Sequence, residues 1–182
     1  EITLGLKSSN ETKSFWPYDF DLEVKISVSM KLNLKLTTKN TDDIPFTFTA
    51  GFHPYFLVRE RDNVTIRGLD KCKYILADDM SEHTQDGDFK VNIAPNHVFY
   101  LKKEIKHEFA ILDPGLKRAL AMVSTGTDNA VVWNPGAETK LADLEGDDWR
   151  KLICLEPVTA WPKATETLQP GKKHELVVAI QS

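Results

Sequence analysis

The chain has 182 residues, 41% of them hydrophobic and 27% charged, which suits one globular domain with a sizeable core. A net charge of -4 argues against nucleic acid or an anionic membrane as partner. No apolar run approaches the roughly 20 residues of a membrane-spanning helix, and no signal-peptide pattern opens the sequence, so a cytoplasmic location is expected.

The opening residues Glu1-Ile2-Thr3-Leu4-Gly5-Leu6 already alternate, which reads as a start in mid-sheet and hence as a fragment of something longer. Phe15-Trp16-Pro17-Tyr18-Asp19-Phe20 is an aromatic lead-in punctuated by Pro17. From Leu22 to Leu36 every second residue is apolar and every residue between is polar or charged. One strand of that length is improbable, so the pattern predicts two antiparallel strands with a tight turn near 29–31. A loop at 40–45 then leads into an extended segment over 46–52. Further strands are predicted at 64–67, 98–101, 109–112, 119–123, 130–133 and 175–180, with 78–88 a polar loop. Residues 143–148 offer the one place for a short helical turn. Residues 152–155 are apolar on both faces, the mark of a buried central strand, and Pro157 is expected to stop it. Many short strands and no convincing long amphipathic helix predict an all-β sandwich or barrel.

Two residues stand out chemically. If 46–52 is extended, Phe46, Phe48 and Phe52 line a core and His53 stands on the opposite face, beside Tyr55 and Phe56. A lone histidine among aromatics is more often a hydrogen-bonded structural residue than a ligand-facing one. Glu156 follows four apolar residues, where a carboxylate is costly to bury unless paired. It is either half of a structural ion pair or, with His53, half of an acid–base couple on one sheet face. Nucleophile-elbow, Walker, dinucleotide and H-E-x-x-H patterns are absent. Cys72 and Cys154 lie outside any metal-ligand spacing and read as free thiols, Cys154 as packing. Asp78, Asp79, Glu82 and His83 also lack a ligand spacing, so no metal is expected. Trp133, Trp149 and Trp161 read as core residues, with one or two free to stack on a sugar.

Four segments then recur in a familiar order: Phe52-His53-Pro54-Tyr55-Phe56, Val132-Trp133-Asn134-Pro135-Gly136, Ile153-Cys154-Leu155-Glu156 and Leu168-Gln169-Pro170-Gly171. They resemble the galactose mutarotase-like (aldose 1-epimerase) family, and more closely its hexose-6-phosphate mutarotase (glucose-6-phosphate 1-epimerase) branch. The resemblance covers essentially the whole chain. It implies a large antiparallel β-sandwich with very little helix, spanning 1–182 as one domain and forming the C-terminal part of a longer epimerase domain. It implies His53 as general acid and Glu156 as general base in the exchange of α and β anomers. It also implies Asn96, Trp133, Asn134 and Tyr55 as substrate-binding positions, with a sugar or sugar phosphate as ligand and neither cofactor nor metal. The family's earlier sugar-contacting arginine and second histidine have no counterpart here, and most of its phosphate-gripping arginines would also precede Glu1. Asn96 stands where many relatives carry an aspartate, so it can donate and accept but brings no charge. The alternatives are a non-catalytic carbohydrate-binding sandwich and an epimerase acting on unphosphorylated sugars. On the catalytic reading His53 and Glu156 should flank a sugar-sized gap on one sheet face.

Overall fold

The computed structural model of the chain describes residues 1–91, 96–102, 105–139, 141–160 and 165–182. β1 (Ile2–Lys7) runs into a four-residue helical turn, α1 (Asn10–Lys13), closed at its start by reciprocal hydrogen bonds between Ser9 and Thr12. β2 (Phe20–Val28) and β3 (Leu32–Asn40) follow as an antiparallel hairpin turning at 29–31, as the alternation dictates. β4 (Phe46–Phe48), β5 (Ala50–Gly51) and β6 (Tyr55–Leu57) are three short pieces, followed by β7 (Thr65–Arg67). β8 (Lys73–Leu76), β9 (Glu82–Thr84), β10 (Phe89–Lys90) and β11 (Asn96–Tyr100) come next. The chain continues through β12 (His107–Asp113), β13 (Arg118–Thr125), β14 (Asn129–Trp133), β15 (Leu152–Thr159), β16 (Glu166–Leu168) and β17 (Lys173–Gln181).

Among the described residues the strands assemble into two large antiparallel sheets. One has the order β1-β2-β3-β17-β13-β12-β7-β10, the other β5-β15-β14-β11-β8-β9 with β6 also on β15. Their facing sides supply a common core: Ile66, Phe109, Ile111, Met122, Leu176 and Val178 from the first, Phe99, Val132, Ile153 and Leu155 from the second. The fold is therefore a large antiparallel β-sandwich. A smaller aromatic cluster of Trp16, Tyr18, Phe20, Phe46 and Phe48 packs over the β4–β16 pair. The apolar cleft next to it, about 630 Å³ in volume, carries no titratable side chain. No described helix is long and apolar enough to cross a membrane.

Four expectations need correction. The single strand over 46–52 is two: β4 pairs with β16, and after Thr49 the chain switches partner so that β5 pairs with β15. The phenylalanine alternation runs on across that switch, but Phe46 belongs to the aromatic cluster and Phe52 to the main core. The polar loop at 78–88 contains β9, hairpinned onto β8. Pro157 does not end its strand; all eight residues of β15 are buried and it continues to Thr159. In an antiparallel strand a residue's N–H and C=O face the same neighbour. The Pro157 carbonyl accepts from Phe52 N, 3.3 Å away, so its missing N–H faces the gap between β5 and β6 and costs no bond to β14. The helical turn expected at 143–148 forms slightly later, at Asp148–Lys151.

Candidate active site

Sheet register brings His53 and Glu156 together. Gly51 pairs with Val158 and Tyr55 with Cys154, so position 53 falls opposite 156 although no ladder is formed there. Pro54 withholds a backbone donor, which lets the chain lift away at 53 and 54 without losing register on either side. Gly51 permits the close approach: a Cβ there would come within 2.4 Å of the Val158 side chain. On β15, Ile153 and Leu155 point into the core, so Cys154 and Glu156 turn to the other face. Ala130 and Val132 do the same on β14 and send Trp133 to that face. Pairing then lines up Tyr55, Cys154, Trp133 and Asn96 across four strands.

His53 Nε2 lies 3.3 Å from Glu156 Oε1. The two share one face as required, but they touch; the sugar-sized gap between them is not there. The imidazole, about half exposed, closes onto the carboxylate, which is largely buried. Tyr55 stacks on the imidazole at 4.8 Å and 9° between planes, while Trp133 meets it edge-on at 5.6 Å. Burial raises the Glu156 carboxyl to about 7. Burial, and after it the neighbouring Glu156, pushes the Cys154 thiol far above its ordinary range. The Tyr55 hydroxyl is raised as well, by desolvation first and then by Cys154, Asp143 and Glu156, so it stays protonated at neutral pH.

The remaining expected positions separate. Tyr55 and Trp133 wall the pair. Asn96 holds a register position beside Trp133, and its side chain lies outside the described residues, as does Trp161. Asn134, expected as a substrate-binding position, is engaged by the fold. Its amide donates to the carbonyls of Trp149 and Leu152, and its oxygen accepts from Gly136 N and Arg61, which fills the hydrogen-bonding capacity of the group. Arg61, which the sequence did not single out, is stacked over Trp149 at 4.8 Å and braces this turn. Cys154 is fully buried, as its reading as a packed free thiol expects, and it sits on the Glu156 face with its donor atom within 4.8 Å of those of His53 and Glu156, neighbours that linear spacing does not reveal. His97 is buried among Tyr74, Phe89 and Phe99 on the core side, with burial the main cause of its lowered pKa.

The family model described as aldose 1-epimerase matches residues 1–181. The chain belongs to that family. Two family relatives, from Cenchrus ciliaris and Escherichia coli, are each named "Putative glucose-6-phosphate 1-epimerase". The first is 28% identical over 188 residues, covering 100% of this chain and 56% of its own length. The second is 27% identical over 183 residues, covering 99% and 59%. A solved structure from Salmonella typhimurium, named "putative mutarotase", superposes with a TM-score of 0.84 at 26% identity, over 98% of this chain and 59% of that one. This aldose 1-epimerase family chain therefore spans a little over half the length of the relatives it matches.

Proposed function

We propose that the protein interconverts the α and β anomers of an aldohexose, with Glu156 as general base and His53 as general acid. The observation that carries this reading is their direct contact on one sheet face, with the carboxylate buried and its pKa near 7. A carboxylate tuned to that value takes and returns a proton near neutral pH at little cost in either direction. The two oxygens to be served, the C1 hydroxyl and the ring oxygen, are bonded to the same carbon. An acid and a base lying side by side suit them better than a pair spread across the sugar.

The step balances with these two groups alone. Glu156 takes the C1 hydroxyl proton as the carbonyl forms, the bond from C1 to the ring oxygen breaks, and protonated His53 delivers a proton to that oxygen. The open-chain aldehyde turns about its bond to C2, and the reverse transfers close the ring on the other face. Each transfer contributes ~10²–10⁴-fold. Trp133 and Tyr55 offer ring faces and edges to the sugar. Asn96, at the far end of the same register line, is the remaining substrate-binding position we assign. The names of the relatives and the Trp-Asn-Pro-Gly and Cys-x-Glu segments support a hexose 6-phosphate as substrate. Both cysteines are free thiols, in keeping with a cytoplasmic setting.

Exchange spectroscopy by NMR on the whole protein tests this reading, comparing glucose 6-phosphate with free glucose and galactose. Accelerated exchange, faster on the phosphate ester, is expected. Sugar binding without any acceleration would instead make it a carbohydrate-binding sandwich.

A further inference from the structure

Cys154 lies beside the His53–Glu156 pair and takes no part in the proton transfers above. One donor atom from each of His53, Cys154 and Glu156 falls within 4.8 Å of the other two. Imidazole nitrogen, thiol sulfur and carboxylate oxygen form a mixed set that suits a borderline-soft divalent ion, zinc above all. Bonds of about 2.0–2.3 Å to a tetrahedral ion hold its donors roughly 3.3–3.7 Å apart. His53 Nε2 and Glu156 Oε1, at 3.3 Å, already meet that requirement. The remaining separations to the sulfur, each within 4.8 Å, exceed that range by at most about 1 Å. His53 hangs from the interrupted stretch between β5 and β6 and is half exposed, so its imidazole can shift toward the sulfur. The other two donors are carried at alternate positions of one buried strand, whose register puts them on the same face.

We propose that His53, Cys154 and Glu156 form a binding site for a single zinc-like divalent cation, with its fourth position open to water on the side of His53. On binding, the Cys154 S–H bond gives its proton to solvent and the sulfur lone pair goes to the ion; nothing is oxidised or reduced. Occupancy ties up the His53 nitrogen and the Glu156 oxygen, so the ion inhibits anomer exchange. That consequence, unlike binding itself, rests on the function proposed above.

Cobalt(II) added to the purified protein is the probe. The expected result is one tightly bound equivalent with a thiolate-to-cobalt charge-transfer band and four-coordinate visible bands, both displaced by zinc. Cys154→Ser removes the charge-transfer band and weakens zinc binding at least ~10–100-fold, with an unchanged far-ultraviolet circular dichroism spectrum; Cys72→Ser leaves the band in place. X-ray absorption of the zinc-loaded wild type, which needs no variant, should show one sulfur among its ligands. Absence of the thiolate band, its survival in Cys154→Ser, its loss in Cys72→Ser, or zinc held by nitrogen and oxygen alone overturns the proposal. Anomer exchange without metal binding overturns this inference only, and metal binding without anomer exchange overturns the proposed function only.

Discussion

Replacing Glu156 by glutamine should alter the pH dependence of stability in the sense opposite to that of a salt-bridged carboxylate. The Glu156 carboxyl, ordinarily near 4.5, is raised to about 7 by burial. At about 1.4 kcal/mol for each tenfold in proton affinity, ionising it in the fold costs about 3 kcal/mol more than in the unfolded chain. The folded state holds this proton more tightly, so the contribution is fully present below pH 4.5 and is lost as pH rises through about 7. Of it, about 2–3 kcal/mol falls between pH 5 and pH 8.5. Glutamine does not titrate, and the other carboxylates are common to both proteins and cancel in the comparison. Urea unfolding of wild type and Glu156→Gln in chelator-treated buffer should therefore show the wild type losing about 2–3 kcal/mol relative to the variant from pH 5 to pH 8.5. That corresponds to roughly 1 M in the difference between midpoints. A difference that stays constant with pH would mean that burial does not hold the proton. A wild type that gains on the variant as pH rises would mean that pairing with a His53 imidazolium outweighs burial.

Two further substitutions separate fold from site. Asn134→Ala strips the donor from the Trp149 and Leu152 carbonyls and should cost about 2–4 kcal/mol in denaturant unfolding, while the KM of the folded fraction stays near that of the wild type. A large KM effect with little loss of stability would return Asn134 to the substrate. Trp133→Leu removes an aromatic wall of His53 and should weaken sugar affinity roughly 2–12-fold, the equivalent of ~0.5–1.5 kcal/mol for an aromatic contact, as read by calorimetry. Unchanged affinity would place the sugar elsewhere.

The part of this molecule most legible in its sequence is the part written in parity. Leu22 to Leu36 alternate without a break, and the β2–β3 hairpin follows with its turn where a single long strand would have to fold back. Parity also put His53 opposite the phenylalanines; that Cys154 shares the Glu156 face of β15 follows from the same count, which the apolar run 152–155 hides because both its faces are buried. What parity does not carry is the identity of the partner strand. Phe46 and Phe52 keep one rhythm while Thr49 hands the chain from β16 to β15. Pro157 looks like a strand breaker until its neighbour at Phe52 is known, because the cost of a missing N–H depends on what would have faced it. Asn134 ahead of Pro-Gly reads the same whether its amide meets a ligand or two buried carbonyls. The contact between His53 and Glu156 is likewise a product of register: a hundred residues apart in sequence, they meet because both flanking pairs keep count across the lapse at Pro54.

The claim that these two side chains work as one proton-transferring unit is tested most directly by anomer exchange rates across the cycle of wild type, His53→Gln, Glu156→Gln and the double variant, in the presence of chelator. Each single change should slow exchange by ~10²–10⁴-fold, and the double variant should be about as slow as the slower single, because a broken unit loses little more when its second half goes. Singles within a few-fold of the wild type, or losses that multiply in the double variant, would contradict it.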